Sequence, residues 1–412
     1  MASTQHDHEA LTHRTALTRR VLRVLRAVRI PLLVCTLARV VDLVLFAVLS
    51  RYQQSSDALA EALNTYRATP ADPGVLGMVT NWDGQWYQSI ATEGYPGSLP
   101  VDADGNVQQN SWAFFPAYPM LVRSLMTVTG LPFSVAAVTI SIVASTVAMC
   151  WLYTMVQQHA GPWLAGALVL GINCFPTAPV FAAAYSEGLA LLVIVAALSA
   201  LQKHRYGAFA LMMLLLGVTR PISIAFAPVL ALHALRRRRA EGRLSPRDAK
   251  HLTVALCSTV VAFGIWPGIA GLLTGRINAY LLTQEAWLGS GWNSWAVAAT
   301  RDLGLGYVVA VAVALAAYFV LRPDARLWPS ELRTWAASYA AFLVVTVRPV
   351  PSITRYTMLA IVFCWPLAEL GLRSSRVARI VLVATVVAVG IVVQYEWLRG
   401  WWVYSETRRG FP

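Results

Sequence analysis

Long apolar runs, separated by short polar segments, recur along the whole 412-residue chain. The runs at 131–156, 252–273 and 377–393 show the pattern most clearly. Each approaches the roughly 20 residues that an α-helix needs to cross the hydrocarbon core of a bilayer. Repeated over the chain, this pattern predicts an all-α polytopic membrane protein with about eleven transmembrane helices. A short inner turn at 157–163 is expected to separate the second and third of these helices.

Two polar stretches are too long to be simple connectors between such helices. The first covers 50–132 and the second covers 274–303. We predict a basic tail at 1–30 and a single membrane domain at 31–412, from which both stretches project as outer loops. Within the first loop, 114–126 is apolar but contains two prolines and an arginine, which make a poor span. We therefore interpret that segment as an interfacial helix.

The charge distribution orients the chain. The net charge is +13, and basic clusters at 19–29, 236–250 and 373–379 lie between apolar runs. Since cytoplasmic loops carry an excess of lysine and arginine, these clusters are expected inside a plasma (inner) membrane. The N-terminus is then cytoplasmic, and the first loop and the C-terminus are extracytoplasmic. Short clusters of this kind indicate membrane lipid, and not nucleic acid, as the partner of the basic residues.

Cysteine and histidine usage narrows the chemistry. All five cysteines fall within apolar runs, so we expect neither a disulfide framework nor a zinc site. All seven histidines fall on the predicted inner side. Acid–base chemistry in the outer loops would therefore depend on carboxylates. Asp102 to Asn106 lacks the acidic final ligand of a calcium loop, so it is interpreted as a solvated turn. No metal ion and no cofactor is expected, although paired acids leave a metal requirement open.

The densest set of functional side chains is Asn81-Trp82-Asp83-Gly84, followed by Gln85, Trp86 and Tyr87. If a helix begins here, Asp83 and Tyr87 share one face at four-residue spacing. Asp83 has two interpretations. It is an N-cap of that helix, or it is a general base among aromatic side chains at the membrane surface.

Charged residues at predicted helix ends offer phosphate binding. Arg220 lies where two short helices meet at Thr219-Arg220-Pro221, and Arg348 and Arg355 lie at further outer ends. A guanidinium matches phosphate oxygens, although each arginine can also snorkel to the interface. Glu187 begins a predicted span, and we expect it to pair with an arginine such as Arg220.

One charged pair is predicted inside a span. Arg39 and Asp42 lie three residues apart in the first apolar run, so they can meet on one helical face. We expect them to neutralise each other, with a place for Asp42 at the border of an active-site cavity as the alternative.

Several of these segments, taken in order, resemble one family. Trp82 to Tyr95 and Ala113-Phe114-Phe115-Pro116-Ala117-Tyr118-Pro119 are similar to motifs of the PIG-V-type mannosyltransferases in the GT-C superfamily. Tyr185-Ser186-Glu187 and Thr219-Arg220-Pro221 occur in that family's order, and the Gln284 to Trp287 stretch and the Trp-rich C-terminus are also similar.

The resemblance implies a GT-C-like helix arrangement and a polyprenyl-phosphate-linked sugar as donor. It implies transfer of mannose with inversion to a lipid-linked glycan or other cell-envelope acceptor, with Asp83 as the catalytic base. Pentose from a similar donor stays open, and the sequence does not name the acceptor. The candidate substrate- and donor-binding residues are Tyr87, Glu93, Glu187, Arg220, Gln284, Trp287, Arg348 and Arg355.

Two other classes of membrane protein are alternatives to a glycosyltransferase. A secondary transporter or a lipid or lipid-sugar flippase would show paired repeats and interrupted helices at the midplane. The sequence contains no internal repeat, and charges within predicted spans are nearly confined to Arg39 and Asp42. A non-enzymatic membrane scaffold would make the placements of Asp83 and Arg220 coincidental.

Overall fold

The computed structural model describes residues 26–59, 66–288, 314, 317–318, 321–346 and 352–406. These residues form helices and connecting segments, and the β pairing recorded among them is one isolated bridge between Val101 and Val107. The α-helices are α1 (Arg29–Ser50), α2 (Gly74–Met78), α3 (Asp83–Thr92), α4 (Ala117–Thr129), α5 (Phe133–Asn173), α6 (Glu187–Gln202), α7 (Tyr206–Gly217), α8 (Phe226–Glu241), α9 (Pro246–Thr274), α10 (Ala279–Leu288), α11 (Ser330–Thr346), α12 (Ile353–Thr357), α13 (Trp365–Leu372) and α14 (Arg376–Trp397).

Four helical segments in the described residues are long and apolar enough to cross a membrane. They are α1, α5, α9 and Arg376–Trp402, which continues α14. A fifth crossing is added if Ile353–Ala360 and Trp365–Leu372, bent by 43° against each other, form one broken span. The chain is thus an all-α membrane protein, as predicted. The number of about eleven crossings, derived from the ~20-residue span length, stays a prediction.

Helix α5 contains the break expected between two predicted spans. Its 41 residues are interrupted at Gly161, whose φ of 85° and ψ of 169° are not helical. Glycine adopts positive φ without a Cβ clash, and Pro162 directly after it cannot donate a helical hydrogen bond. The break lies within the predicted inner turn at 157–163.

Helix α6 lies at the centre of the bundle, where almost all of its residues are buried. It packs against α5 and α7, and α7 in turn packs along α9. A Cβ at Gly188 would lie 2.7 Å from the Ser141 carbonyl oxygen of α5, so only glycine permits this close approach. The tight contact fixes the start of α6, which carries Glu187.

The first predicted outer loop contains the short helices α2, α3 and α4. Helix α4 has 13 residues and buries Tyr118, Pro119 and Val122. At 1.5 Å per residue such a helix is about 20 Å long, shorter than a bilayer core. The Asp102 turn is also as predicted: its carboxylate accepts the N–H groups of Asp104 and Asn106 at 3.0 and 2.8 Å.

The charged pair in α1 neutralises itself as predicted. Arg39 Nη2 lies 3.0 Å from Asp42 Oδ2, one helical turn away. The same nitrogen donates to Asn173 Oδ1 at 3.0 Å, and the guanidinium lies over the Phe181 ring at 5.3 Å. Arg39 and Asp42 are both buried. The pair therefore connects α1 to the end of α5.

Candidate functional site

Asp83 begins α3 immediately after an unusual turn formed by Asn81 and Trp82. Trp82 has φ 59° and ψ −119°, in a region that residues with side chains seldom adopt. The Tyr185 hydroxyl lies across the turn, accepting the Asp83 N–H at 3.2 Å and donating to the Asn81 carbonyl at 3.2 Å. A side chain from the segment before α6 thus holds the backbone that carries Asp83.

The carboxylate of Asp83 does not cap its helix. The N-cap residue is Trp82, and it makes no side-chain capping hydrogen bond, so the N-cap interpretation of Asp83 is wrong. Asp83 Oδ2 instead lies 2.8 Å from Arg355 Nη2 on α12. The Asp83 side chain is 28% exposed, whereas that of Arg355 is 3% exposed. A partly accessible carboxylate therefore faces a buried cation.

Glu187 and Arg220 extend this pair into an ion-pair network of four residues: Asp83, Glu187, Arg220 and Arg355. Arg355 Nε lies 3.1 Å from Glu187 Oε1, and Arg220 Nη1 lies 2.8 Å from the same oxygen. The Glu187–Arg220 contact was predicted. Since unpaired buried charges are strongly unfavourable, two acids and two arginines together make the charges tolerable at this depth.

Arg355 has an unused donor inside the ion-pair network. Its Nη1 is buried and makes no hydrogen bond to any residue that the structure describes. The guanidiniums of Arg220 and Arg355 both lie over the Tyr356 ring, at 5.0 and 5.2 Å from its centroid. A guanidinium presents five N–H donors in a fixed plane. The arrangement therefore retains capacity to bind an anion.

Tyr87 adjoins the network from α3. Its hydroxyl donates to Ser186 Oγ at 2.9 Å, and that oxygen also accepts from Arg220 Nη1 at 3.3 Å. Burial raises the pKa of Tyr87 well above its usual value. Tyr87 is thus a neutral hydrogen-bond donor that links the helix of Asp83 to Arg220 through Ser186.

Trp287, another predicted site residue, belongs to an aromatic cluster next to Tyr87. Its ring centroid lies 5.3 Å from that of Trp86 and 5.4 Å from that of Phe114. Phe114 lies 5.3 Å from Tyr87, centroid to centroid. Gln284 is one turn before Trp287 on α10. The cluster joins the second predicted loop to the first.

Two other predicted residues have different surroundings. Glu93 follows α3 and pairs with Arg67; its side chain is 55% exposed. Ser89 Oγ donates to Glu93 at 3.2 Å. The structure thus places Glu93 in a surface contact and not in the ion-pair network. Arg348 lies outside the described residues.

Sequence reasoning did not select two aromatic residues that contact the network. Tyr185 holds the Asp83 turn, and its ring lies 4.8 Å from the Arg355 guanidinium. Tyr356 lies beneath both arginines. Tyr185 was noted only as the first residue of the motif Tyr185-Ser186-Glu187, without a role of its own. Tyr356 directly follows Arg355. An aromatic residue within two positions of a charge at a predicted outer helix end is the signal that could have identified both.

The acidic residues of the site are not arranged as metal ligands. In the part of the chain that the structure describes, no group of three or more histidine, cysteine, aspartate or glutamate side chains is placed to hold a metal ion. Asp83 and Glu187 are instead matched with arginines. The expectation of a metal-independent site stays a prediction.

Among known proteins, the chain matches solved structures. No protein family and no curated protein matches the chain. Among solved structures it is similar to the oligosaccharyltransferase of Archaeoglobus fulgidus in complex with zinc and sulfate, at 14% identity and a TM-score of 0.42, over 92% of this chain and 53% of that one. The same enzyme tethered to an acceptor peptide gives 14% identity and 0.42, over 93% and 56%. The chain thus spans about half the length of those structures. A likeness of this size carries no conclusion about activity.

Proposed function

We propose that the chain is a GT-C-type membrane glycosyltransferase. It transfers a sugar, expected to be mannose, from a polyprenyl-phosphate donor to a lipid-linked glycan or other cell-envelope acceptor. The observation that carries this proposal is the Asp83 carboxylate, partly exposed and 2.8 Å from the buried Arg355. The donor class and the sugar rest on the sequence resemblance.

The residues supply what such a transfer needs. The acceptor hydroxyl oxygen attacks the anomeric carbon of the donor sugar while the bond from that carbon to the phosphate oxygen breaks. The bonding electrons leave with the polyprenyl phosphate, and the hydroxyl proton moves to the carboxylate of Asp83. Attack from the face opposite the departing phosphate inverts the anomeric configuration.

Arg355 and Arg220 are suited to hold the phosphate as its negative charge develops. Arg355 Nη1 offers a buried donor with no partner among the described residues, and arginine binds phosphate oxygens in matched geometry. Fixed cations of this kind stabilise the transition state more than they stabilise the donor. Glu187, whose side chain is 1% exposed, keeps both guanidiniums in place.

We also propose that the reaction occurs on the extracytoplasmic face of the plasma membrane. The asymmetric placement of lysine and arginine supports this orientation. A reporter that is active only outside the cytoplasm, inserted after Ser98, should be active. A reporter active only in the cytoplasm should be silent there. The opposite pattern would reverse the topology.

The decisive experiment measures transfer directly. Membranes containing the full chain would be incubated with radiolabelled polyprenyl-phosphate mannose, and the labelled lipids and glycans would be separated and identified. We expect label in a new glycosidic product, and less of it when unlabelled donor competes. A parallel reaction with a polyprenyl-phosphate pentose identifies the sugar that is used.

The same assay separates the proposed enzyme from the alternatives. A transporter or flippase would move labelled donor to the opposite leaflet and leave its sugar–phosphate bond intact. A scaffold would change neither the position nor the structure of the donor. Either result, obtained with correctly inserted protein and both donors, would contradict the proposal.

A further inference from the structure

We propose that Trp402 and Tyr404 are positioning residues for Asp83. This inference rests on the proposed function, because it assigns to Asp83 the role of base. The two residues follow α14 and belong to the segment 402–404. Trp402 and Tyr404 are fully buried in contact with the first predicted outer loop.

Both residues bind Trp82, the residue directly before Asp83. The Tyr404 hydroxyl accepts the backbone N–H of Trp82 at 3.0 Å. The Trp402 carbonyl accepts the indole N–H of Trp82 at 2.7 Å. The backbone and the side chain of Trp82 are therefore both bound by the segment 402–404.

Further contacts fix this segment from the other side. The Trp402 indole donates to the Met78 carbonyl at 2.8 Å, at the end of α2. Its ring lies 4.9 Å from the ring of Tyr185, whose hydroxyl holds Asn81 and Asp83. The Tyr404 carbonyl accepts the Gln54 N–H at 2.9 Å. The segment thus contacts the end of α2, the tyrosine that holds the Asp83 turn, and the chain just after α1.

The backbone of Trp82 explains why such support is needed. A tryptophan with φ 59° is strained, and residues persist in such conformations only where their surroundings enforce them. Tyr404 supplies the acceptor for the Trp82 N–H, which lies on one side of the N–Cα bond that this strained angle describes. Without that acceptor, Trp82 can relax to negative φ, and the Asp83 carboxylate, on the next residue, moves with it.

The test compares two tyrosines that each lose only a hydroxyl group. Tyr404→Phe removes the acceptor of the Trp82 N–H. Tyr95→Phe is the matched control, because the Tyr95 hydroxyl donates to the Phe114 carbonyl at 2.9 Å in the same loop without contacting the turn. Steady-state transfer from polyprenyl-phosphate mannose would be measured with purified full-length proteins in lipid nanodiscs.

We expect Tyr404→Phe to lower kcat about 10- to 100-fold, the size of effect that a small misplacement of a reacting group produces. The KM for the donor should stay within about twofold, because the arginines that hold the phosphate are unchanged. Tyr95→Phe should change neither constant by more than about twofold. Equal effects of the two variants, or a rise in KM with kcat unchanged, would overturn the positioning role.

A second measurement does not depend on catalysis. The Trp82 amide hydrogen should exchange with solvent deuterium faster in Tyr404→Phe than in wild type, and at the wild-type rate in Tyr95→Phe. Unchanged exchange in Tyr404→Phe would overturn the inference even if transfer fell. If wild-type protein does not transfer sugar, the proposed function fails and the claimed role in catalysis fails with it. The exchange result then reports only whether Tyr404 holds the turn.

Discussion

Two of the arginine–aspartate pairs among the described residues differ in construction. Arg39 and Asp42 lie one turn apart on α1, with their charged groups 3.0 Å apart and side chains that are 6% and 1% exposed. Arg355 and Asp83 come from α12 and α3, with a separation of 2.8 Å, and Asp83 is 28% exposed. The first pair forms within one helix, and the second exists only after distant segments have met.

The difference separates a structural pair from a candidate catalytic one. The carboxylate of Asp42 is enclosed and faces an arginine from its own helix, so it has no open side for a ligand. The Asp83 carboxylate keeps an open side, and its arginine partner also contacts Glu187. The exposure of Asp83 and the link of its partner to a second acid therefore make this pair the candidate for chemistry.

The largest loss of transfer is expected for a substitution at Asp83. Asp83→Asn keeps the shape of the side chain but removes its ability to accept a proton. We expect transfer to fall about 100- to 10,000-fold, the range that a general base contributes. Product formation from labelled donor measures the effect. The variant should insert and purify like wild type, and retained transfer would rule out Asp83 as the base.

Arg355→Lys should have the next largest effect on transfer. Lysine keeps the charge but cannot contact Asp83, Glu187 and a phosphate with one planar fork. We expect kcat/KM to fall about 10- to 100-fold, which corresponds to one charge-assisted hydrogen bond. Arg67→Lys is the matched control, because Arg67 also pairs with a carboxylate, that of the exposed Glu93 outside the ion-pair network. Similar losses in both variants would show that Arg355 has no special role.

Asp42→Asn should affect stability and leave catalysis intact. Removing one member of a buried ion pair leaves Arg39 uncompensated, at a cost of about 3 kcal/mol or more. We expect a lower thermal midpoint and an unchanged rate per folded molecule. The double variant Arg39→Met, Asp42→Leu should recover most of the stability. A loss of transfer in well-folded Asp42→Asn protein would instead place Asp42 at the active-site border.

The smallest effect is expected at Glu93. Its carboxylate is more than half exposed and pairs with Arg67 at the surface. Exposed ion pairs contribute about 0–1 kcal/mol. Glu93→Gln should therefore change neither kcat nor KM by more than about twofold. A larger rise in the donor KM would return Glu93 to the donor-binding residues.

The sequence predicted local features of the site well. Glu187 was expected to pair with an arginine because an acid at a helix start within the membrane needs a partner, and Arg220 meets it at 2.8 Å. The break at Gly161 and the solvated Asp102 turn follow from residues that are adjacent in the chain. The break and the turn are each determined over a few residues, the range that sequence patterns report. The Glu187–Arg220 pair joins distant residues and was predictable because a buried acid needs a cation.

The contacts between distant segments were not predictable in the same way. The pairing of Asp83 with Arg355 depends on how α12 packs, and no periodicity encodes that. Asp83 was open to interpretation as an N-cap because the sequence does not show that the N-cap is Trp82. Nothing in the sequence marks this tryptophan as a residue with positive φ. Tyr404 was missed for a related reason: its partner lies at the other end of the chain.

The contact between Trp82 and Trp402 also has a consequence for biosynthesis. The two residues are separated by 320 positions, so a ribosome delivers the Asp83 turn long before the segment that binds it. At a synthesis rate of about 5–20 residues per second, this interval lasts roughly 15 to 60 seconds. During that time the nascent chain has its carboxylate but not the bonds that orient it. If Tyr404 positions Asp83 as proposed, full activity would begin only when translation has passed Tyr404, and chains released earlier would be inserted but less active.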